Sequence, residues 1–489
     1  METATIEVLP DCLIRKIVSY LSFKEAAKMS ILSKTWLQAW LTHPNLEFTV
    51  DYHHDMKVVD KVMERYRDRK IPIDKFELSS DSSSREDIEK WLGIALQNGV
   101  KDCRFHGLAC PLPIFIILAA KSLKELVLTR CNLKSVSLSR GVANLFYLEK
   151  LSLSSIYLNE DMLQTLLTNC PLIVSFVIDS CYGLDKIELR NLQKIRSVSI
   201  TKSSRKRVKI QAPTLEHFSY YQLSVEKLDI AECKNLKSVE LSYVTLSGGF
   251  LEHLISGFQF LECLIIVCLG KGSERFNILS RSLRVLKIED CEGVGEIDAP
   301  NLESVEYIGD QIPRLKIAKT SSQLKHSQIV LHCQNNLNVV WFYELRRFLS
   351  NLTSWSHVSL HFSKCHEINR KELKPHDRVA LPQVDVLDVD IKSSGNCPTF
   401  VDALLWSCHP KRLNLSSTVK MIICFIDRLT YLKNSSDSTS HESKPLRSQL
   451  KEVKAYKFDW KNQPVELKSG ELAIRSLTES ENVYFVLDW

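Results

Sequence analysis

His361, Cys365 and His366 gather three metal-binding side chains in one short stretch, so the search for chemistry in this chain starts there. Zinc asks for four nitrogen, sulfur or oxygen ligands in a tetrahedron. No fourth ligand is evident, and His361 to Cys365 straddles the end of a predicted strand, so the three read as surface polar groups. Gly270-Lys271-Gly272 has the flavour of a phosphate cradle, but no GxxxxGK[ST] surrounds it. GxSxG and HExxH are absent as well, so neither a nucleophile elbow nor a zinc-held water is written in a known spacing. Arg205-Lys206-Arg207, with Lys202 and Lys209, is the densest basic cluster. It suits a polyphosphate contact or a nuclear signal, and it suits a solvated loop equally. His53-His54 and the charged run from Lys61 to Lys70 read as the wet face of a helix. No catalytic residue, metal or cofactor is assigned.

The elements that could position a site are bounded by length and composition. A chain of 489 residues outgrows a single compact core, so several domains or one small domain and a repeat array are expected. With 44% hydrophobic and 25% charged residues it has the balance of a folded protein. The 64 Lys and Arg against 58 Asp and Glu leave a net charge of +6, spread along the chain, which does not imply nucleic acid. The 15 cysteines are odd in number and form no CxxC pair, as expected of free, mostly buried thiols in a reducing compartment. Residues 1–10 lack the basic region of a secretory signal. The longest apolar stretches, near Pro111 to Ala120 and Phe260 to Leu269, are about half the ~20 residues of a membrane span. A soluble nuclear or cytoplasmic protein, or one shared between the two, is expected.

Three short helices are predicted first. Pro10 and Asp11 stand where a helix N-terminus favours them, and Ile14, Ile17, Val18 and Leu21 follow at helical spacing. Ser22 and Glu25 have the spacing of a capping box ahead of Ala26, Ala27, Met29 and Ile31. Ser33 can cap a third helix whose Trp36, Leu37, Trp40 and Leu41 form one stripe. So small a bundle buries little apolar surface, and a partner or a following domain must cover the rest.

This order of residues, from Leu9-Pro10 through Ile14, Ile17, Leu21, Ala27, Ser30 and Leu32-Ser33-Lys34 to Trp36 and Trp40, resembles the F-box of plant F-box proteins. Cys12 departs from the acidic or polar residue common at its position, and the apolar pattern is unaffected. The resemblance implies that the bundle docks a Skp-type adaptor, and through it a cullin, in an SCF ubiquitin ligase. By resemblance Leu9, Pro10, Leu13, Ile14, Ile17 and Leu21 are assigned to that interface.

Behind the bundle one spacing returns: an apolar residue, two others, an apolar residue, one other, and another apolar residue. Val100, Cys103, Phe105 and Leu123, Leu126, Leu128 begin it, and Leu283, Leu286, Ile288 and Leu302, Val305, Tyr307 continue it. The interval lies in the leucine-rich-repeat range, although Val225, Leu228 and Ile230 break the timing. Stacked strands of this kind make a parallel sheet with one dry and one exposed face. Cys131, Cys181, Cys233 and Cys291 stand where such repeats use asparagine or cysteine beneath the turn. Glu160 to Thr168, Gly248 to Ser256, Val339 to Leu349 and Phe400 to Cys408 read as helical returns, and Val358, Leu360, Phe362, then Val384, Leu387, Val389, then Leu413, Leu415 as later strands.

The expected fold is thus an α/β repeat: a three-helix F-box over 1–48, a helical connector over 49–75, and an irregular leucine-rich-repeat solenoid with a parallel sheet over 76–432. The solenoid should be most regular over 100–310. A Ser-rich linker, 433–447, and a C-terminal cap, 448–489, follow. The cap reads as two strands, Leu450 to Lys454 and Val483 to Leu487, flanking a short helix, and resembles the FBD domain that ends many plant F-box/leucine-rich-repeat proteins. The outward strand positions Thr129, Ser152, Ser154, Asp179, Ser199, Thr201, Asp229, Glu240, Ser242, Lys287 and Glu289 are the expected target surface. They lack the Trp, Tyr and Arg of binding hot spots, so loops at the repeat edges are the other candidate. Three functions share this frame: a substrate-choosing ligase subunit, a small-molecule receptor of the plant-hormone kind, and a scaffold that delivers no target. Hormone receptors of this frame imply a basic ring for an inositol polyphosphate, and no such ring is visible in the sequence. A membrane or nucleic-acid partner is not expected.

Overall fold

The computed structural model of the protein describes residues 9–51, 53–112, 114, 117, 120–133, 147–190, 192–201, 207–221, 228–246, 248–269, 275–316, 324–333, 337–352, 354–369, 372–373, 381–392, 397–434, 450–458, 464–466 and 481–489. The chain divides into two compact units, Met1–Leu236 and Lys237–Trp489.

The first unit opens with helices α1 (Asp11–Ser19), α2 (Phe23–Met29) and α3 (Lys34–Leu41). Each starts where its sequence supplies a terminator. Pro10 precedes α1 with an extended backbone, and Asp11 lies in the first turn, where the helix dipole favours an anion. The Glu25 N–H donates to Ser22 Oγ at 3.3 Å while the Ser22 N–H donates to the Glu25 carboxylate at 3.0 Å, a reciprocal capping box. The Trp36 N–H donates to Ser33 Oγ. Ile14, Val18, Ala26, Trp36 and Ala39 form the dry centre, with Leu9, Leu21, Met29 and Trp40 packed against it.

A parallel sheet starts directly after α3. Strand Asn45–Val50 pairs with Lys75–Ser80, and helix His53–Arg69 makes the crossover that a parallel pair requires. The sheet therefore begins some thirty residues before 76, and the expected connector is its first crossover. Strands Asp102–His106, Glu125–Thr129, Lys150–Ser154, Ser175–Asp179, Ser197–Thr201 and His217–Tyr221 add on in sequence order, each parallel to its neighbour. The apolar pairs that announced them, such as Leu126 with Leu128 and Phe176 with Ile178, are fully buried, each contributing roughly 1.5–3 kcal/mol on burial.

The turns share one backbone device. Gly107, Arg130, Ser155 and Ser180, each immediately after its strand, take a left-handed φ of 68°, 54°, 55° and 53°. The thiols of Cys131 and Cys181 then donate to the carbonyls of Phe105 and Leu153 in the preceding repeat at 3.4 and 3.3 Å. Cys233 does the same to Ile210 at 3.5 Å. Burial pushes the Cys131 and Cys233 thiols up to about 11, so they serve as weak donors and not as nucleophiles. The fourth cysteine of this set departs from expectation: Cys291 is bonded to Cys268, with Cα atoms 4.9 Å apart. Cys268 ends strand Cys263–Cys268 and Cys291 follows the next strand's turn, so stacking of adjacent repeats brings them together. The other cysteines are free.

Where several repeats would carry a helix, the chain forms short strands. Lys186–Leu189, Arg207–Ile210 and Leu228–Asp229 make one small parallel sheet. That sheet explains the set that broke the timing, because Leu228 pairs with Val208 and not with the main sheet.

In the second unit, strands Ser238–Val244, Cys263–Cys268, Val285–Glu289, Ser304–Gly309, His326–Cys333, Ser354–Phe362, Gln383–Ile391 and His409–Ser417 run parallel in sequence order. A second small parallel sheet joins Phe276–Leu279, Val294–Asp298 and Arg314–Lys316. Helices Gly248–Gly257, Val339–Leu349, Pro398–Ser407 and Val419–Asn434 supply the returns. The last parallel strand is not left open: Glu481–Asp488 pairs antiparallel with His409–Ser417, Glu452–Phe458 pairs with Glu481–Asp488, and Pro464–Glu466 follows. This covers an edge that would otherwise invite foreign strands. The helix expected between the two terminal strands and most of the Ser-rich linker lie outside the described residues.

Candidate docking surfaces

The helical bundle presents two faces. Ile14 and Val18 are 2% exposed and face its centre, whereas Leu13 and Ile17, on the other side of α1, are 46% and 39% exposed. Helical geometry forces this split, since positions 14 and 18 lie one turn apart and 13 and 17 form the adjacent stripe. Of the six residues assigned to the adaptor, Pro10, Leu13 and Ile17 are exposed, Leu9 and Leu21 are partly buried, and Ile14 is inside. Burial gives Ile14 a packing role in place of the assigned contact. Tyr20, Ile31 and Leu32 are exposed too, at 79%, 86% and 39%. Sequence reasoning passed over Tyr20 and carried the second helix on to Ile31, whereas α2 ends at Met29 and Ile31 lies beyond it. Trp36 is core and Trp40 packs against the core, which removes both from the exposed set.

The exposed sheet face of the first unit brings together six of the expected target residues. Register places Thr129, Ser154, Asp179 and Thr201 opposite one another across four strands, with Ser152, Val177 and Ser199 in the row beside them. On the earlier strands the face carries a charge ladder. Lys75 pairs with Glu47 and Glu77, and Arg104 with Asp102 and Glu125, at 2.7–3.1 Å. Asp229 is not on this face; it belongs to the small sheet, 3.5 Å from Lys209.

In the second unit Glu240, Lys287 and Glu289 lie on the exposed face, and Lys287 pairs with Glu306 at 3.0 Å and Glu289 at 3.5 Å. The hydrogen bond that Lys287 donates to Glu306, with the neighbouring carboxylates, holds its ammonium above the usual range. Ser242 is only 8% exposed, because the ladder shifts register between Ser242 and Val244, and its Oγ lies 3.3 Å from Glu240 Oε1.

The richest polar constellation lies farther along, on strands Ser354–Phe362, Gln383–Ile391, His409–Ser417 and Glu481–Asp488. His357 and Asp388 are hydrogen bonded at 2.5 Å, Asn414 Nδ2 donates to the other Asp388 oxygen at 2.6 Å, and Arg412 Nε donates to Asn414 Oδ1 at 2.8 Å. The Arg412 guanidinium lies 4.3 Å from the centroid of the Tyr484 ring, which stacks on Tyr456 at 4.9 Å. Ser359 Oγ is 3.1 Å from His361 Nε2, and His361 Nδ1 is 3.3 Å from Asp390. Beside them is a groove of about 480 Å³.

Hydroxyl, imidazole and carboxylate in that order invite comparison with acyl-transfer chemistry. Such chemistry also needs N–H donors aimed at a developing oxyanion. Here the strand's main chain is engaged on both sides, with His326–Cys333 and with Gln383–Ile391, and Ser359 is 8% exposed. The constellation orients polar groups on the exposed sheet face.

The three candidate metal ligands are not brought together. His361 is engaged with Ser359 and Asp390, and burial pushes the Cys365 thiol up to about 12. Among the described residues no group of His, Cys, Asp or Glu is placed to hold a metal ion. Gly270 to Gly272 and residues 202–206 of the basic cluster lie outside the described residues, as do the side chains of His53 and His54. No helix among the described residues is long and apolar enough to cross a membrane.

Known proteins carry the same parts in the same order. The F-box domain family matches residues 6–48, and the leucine-rich repeats of the FBD-associated F-box protein At5g56370 match residues 88–233 and 226–325. Relatives from Arabidopsis thaliana include the F-box/LRR-repeat protein At3g18150, 24% identical over 307 residues, which are 59% of this chain and 63% of that one. The FBD-associated F-box protein At5g22720 is 30% identical over 208 residues, 40% of this chain and 43% of its own length. The F-box/LRR-repeat protein At3g03360 is 22% identical over 302 residues, 59% and 62% of the two chains. The chain thus spans about two fifths to just under two thirds of the length of the curated relatives it matches. With its helical F-box, its stacked parallel strands and these relatives, the chain belongs to the plant F-box/leucine-rich-repeat proteins.

Proposed function

We propose that the chain is the substrate-recognition subunit of an SCF-type, cullin-RING ubiquitin ligase: the F-box docks a Skp-type adaptor and the exposed sheet faces hold a protein for ubiquitination. The observation that carries this reading is the exposed apolar surface on so small a bundle, formed by Leu13, Ile17, Tyr20, Ile31 and Leu32. Apolar side chains gathered on one small domain mark an interaction site. The chain itself then needs no chemistry. Holding the target near the ligase raises its effective concentration, and transfer belongs to other subunits. The C-terminal antiparallel strands are read as an FBD-like cap on the solenoid, and the nucleus and cytoplasm are the compartments in which such a subunit works.

The test is co-purification of a Skp-type adaptor with the full chain and three variants. Leu13→Ala with Ile17→Ala is expected to lose the adaptor while keeping the melting temperature, and Leu9→Ala with Pro10→Ala to lose the adaptor with a modest fall in melting temperature, because Leu9 packs against the core. Ile14→Ala is expected to lower the melting temperature, by a loss of about 2–4 kcal/mol, because it opens a cavity in the bundle. Equal adaptor recovery from wild type and both double variants sinks the docking assignment.

A further inference from the structure

Arg412 stands on the exposed face of strand His409–Ser417, half-buried, and among the described residues has no carboxylate partner. Other cations of that sheet do have one. Lys287 is paired with Glu306, Lys411 with Asp385 and Lys454 with Glu452. Removing a guanidinium partly from water without a counter-ion is unfavourable, and a ligand that supplies the counter-charge offsets that cost.

The side chain is also held in one orientation. Its Nε is fixed by Asn414, whose amide is fixed by Asp388, whose second oxygen is held by His357. Its plane packs on Tyr484, and Tyr484 is backed by Tyr456. This chain of contacts consumes Nε and, among the described residues, leaves the two terminal nitrogens without an acceptor. Two parallel N–H donors on a planar, pre-oriented cation match a bidentate oxyanion. Pre-orientation also lowers the entropy lost when such a ligand binds.

We propose that Arg412 anchors a carboxylate of the protein target, an Asp or Glu side chain on a segment seated in the groove beside it. This rests on the reading of the sheet face as the target-holding surface. The groove, about 480 Å³, admits a side chain with part of its backbone, and Ser416, Asn482 and Ser359 line it with groups that hydrogen bond an extended main chain. Asp388 and Asp390 line the same groove and decide the kind of anion. A phosphate dianion meets twice the repulsion that a carboxylate meets from these two acids, so the site favours the single charge.

The test uses the full chain bound to its Skp-type adaptor and a displayed library of random peptides. The wild type is expected to enrich Asp or Glu at one position. In the best binder, Glu→Gln at that position is expected to weaken binding about tenfold, the loss of one charge-assisted pair. Arg412→Glu is expected to select Lys or Arg there, and Arg412→Gln, included in case the charge reversal beside Asp388 impairs folding, is expected to lose the acidic preference. Lys454→Gln, in the same row two strands away but outside the groove lining, is expected to select as the wild type does. The inference is overturned if no acidic position emerges, if Arg412→Gln selects the same peptides, or if a phosphoserine version binds more tightly than the Glu version. Adaptor recovery is read in the same samples. Lost acidic selection with retained adaptor overturns this inference alone, whereas failure of the wild type to hold adaptor overturns the ligase reading alone.

Discussion

His43 Nε2 donates to the Val18 carbonyl oxygen, 3.0 Å away, and this bond ties the end of α1 to the first strand of the sheet. The ring is fully buried, and its Nδ1 accepts from the Asn45 N–H at 3.0 Å. The His43 carbonyl in turn accepts from the Tyr66 hydroxyl at 2.8 Å. One residue therefore joins the F-box helices, the strand that follows them and the first crossover helix.

His43→Ala is expected to destabilise the protein by about 2–4 kcal/mol, because it removes the buried imidazole's bonds to the Val18 carbonyl and the Asn45 N–H, leaves the Val18 oxygen only the Leu21 N–H, and opens a cavity. Chemical denaturation measures the loss, and adaptor recovery should fall with it, since α1 carries the proposed docking stripe. A change below about 0.5 kcal/mol, the size of a neutral surface substitution, would show the bond to be incidental.

Asp402 and Arg428 form a second buried relationship, between helices Pro398–Ser407 and Val419–Asn434. The carboxylate is 2% exposed, Arg428 Nε donates to it, and the guanidinium packs over Tyr431 at 4.5 Å. Arg428→Leu is expected to cost about 3–5 kcal/mol, since it removes the counter-ion of a buried carboxylate. Asp402→Leu combined with Arg428→Leu should recover most of that loss, as apolar pairs of similar volume replace buried ion pairs well. A double variant no more stable than Arg428→Leu contradicts this account.

Much of this fold was legible because leucine-rich repeats write their strands in strict alternation. Leu126 with Leu128 and Leu387 with Val389 are buried as the spacing required, and the helix Glu160–Thr168 has the predicted bounds. What failed to show is what depends on pairing between distant segments. Leu228 has the apolar spacing of a main-sheet strand, but its partner is Val208 in the small sheet, and nothing local says so. Cys268 meets Cys291 only because adjacent repeats stack. The candidate site divides in the same way. The stripe of Leu13 and Ile17 can be drawn on a helical wheel. Arg412 gains its meaning from Tyr484, whose strand returns antiparallel from the C-terminal end, and no spacing within His409–Ser417 announces that neighbour.

His409 provides a pH test of the second unit. It is 3% exposed and lies flat on Trp489, with ring centroids 3.9 Å apart and planes within 3°. The indole is fixed in turn, because Trp489 Nε1 donates to the Pro410 carbonyl at 2.7 Å. Burial, with a smaller contribution from the Arg346 guanidinium, pushes the imidazole from 6.5 down to about 4. The unfolded chain therefore takes up this proton first as the pH falls. The stabilisation from keeping His409 neutral is complete above the unfolded value of 6.5 and is lost progressively between 6.5 and about 4. From pH 7 to pH 5 this one residue is expected to withdraw about 2 kcal/mol. Denaturation curves at the two pH values measure it, with His409→Phe as the comparison, since phenylalanine preserves the stack on Trp489 and cannot titrate. The variant should lose about 2 kcal/mol less than the wild type over that interval. Parallel losses in the two proteins would place the pH dependence in other residues and remove His409 from the account.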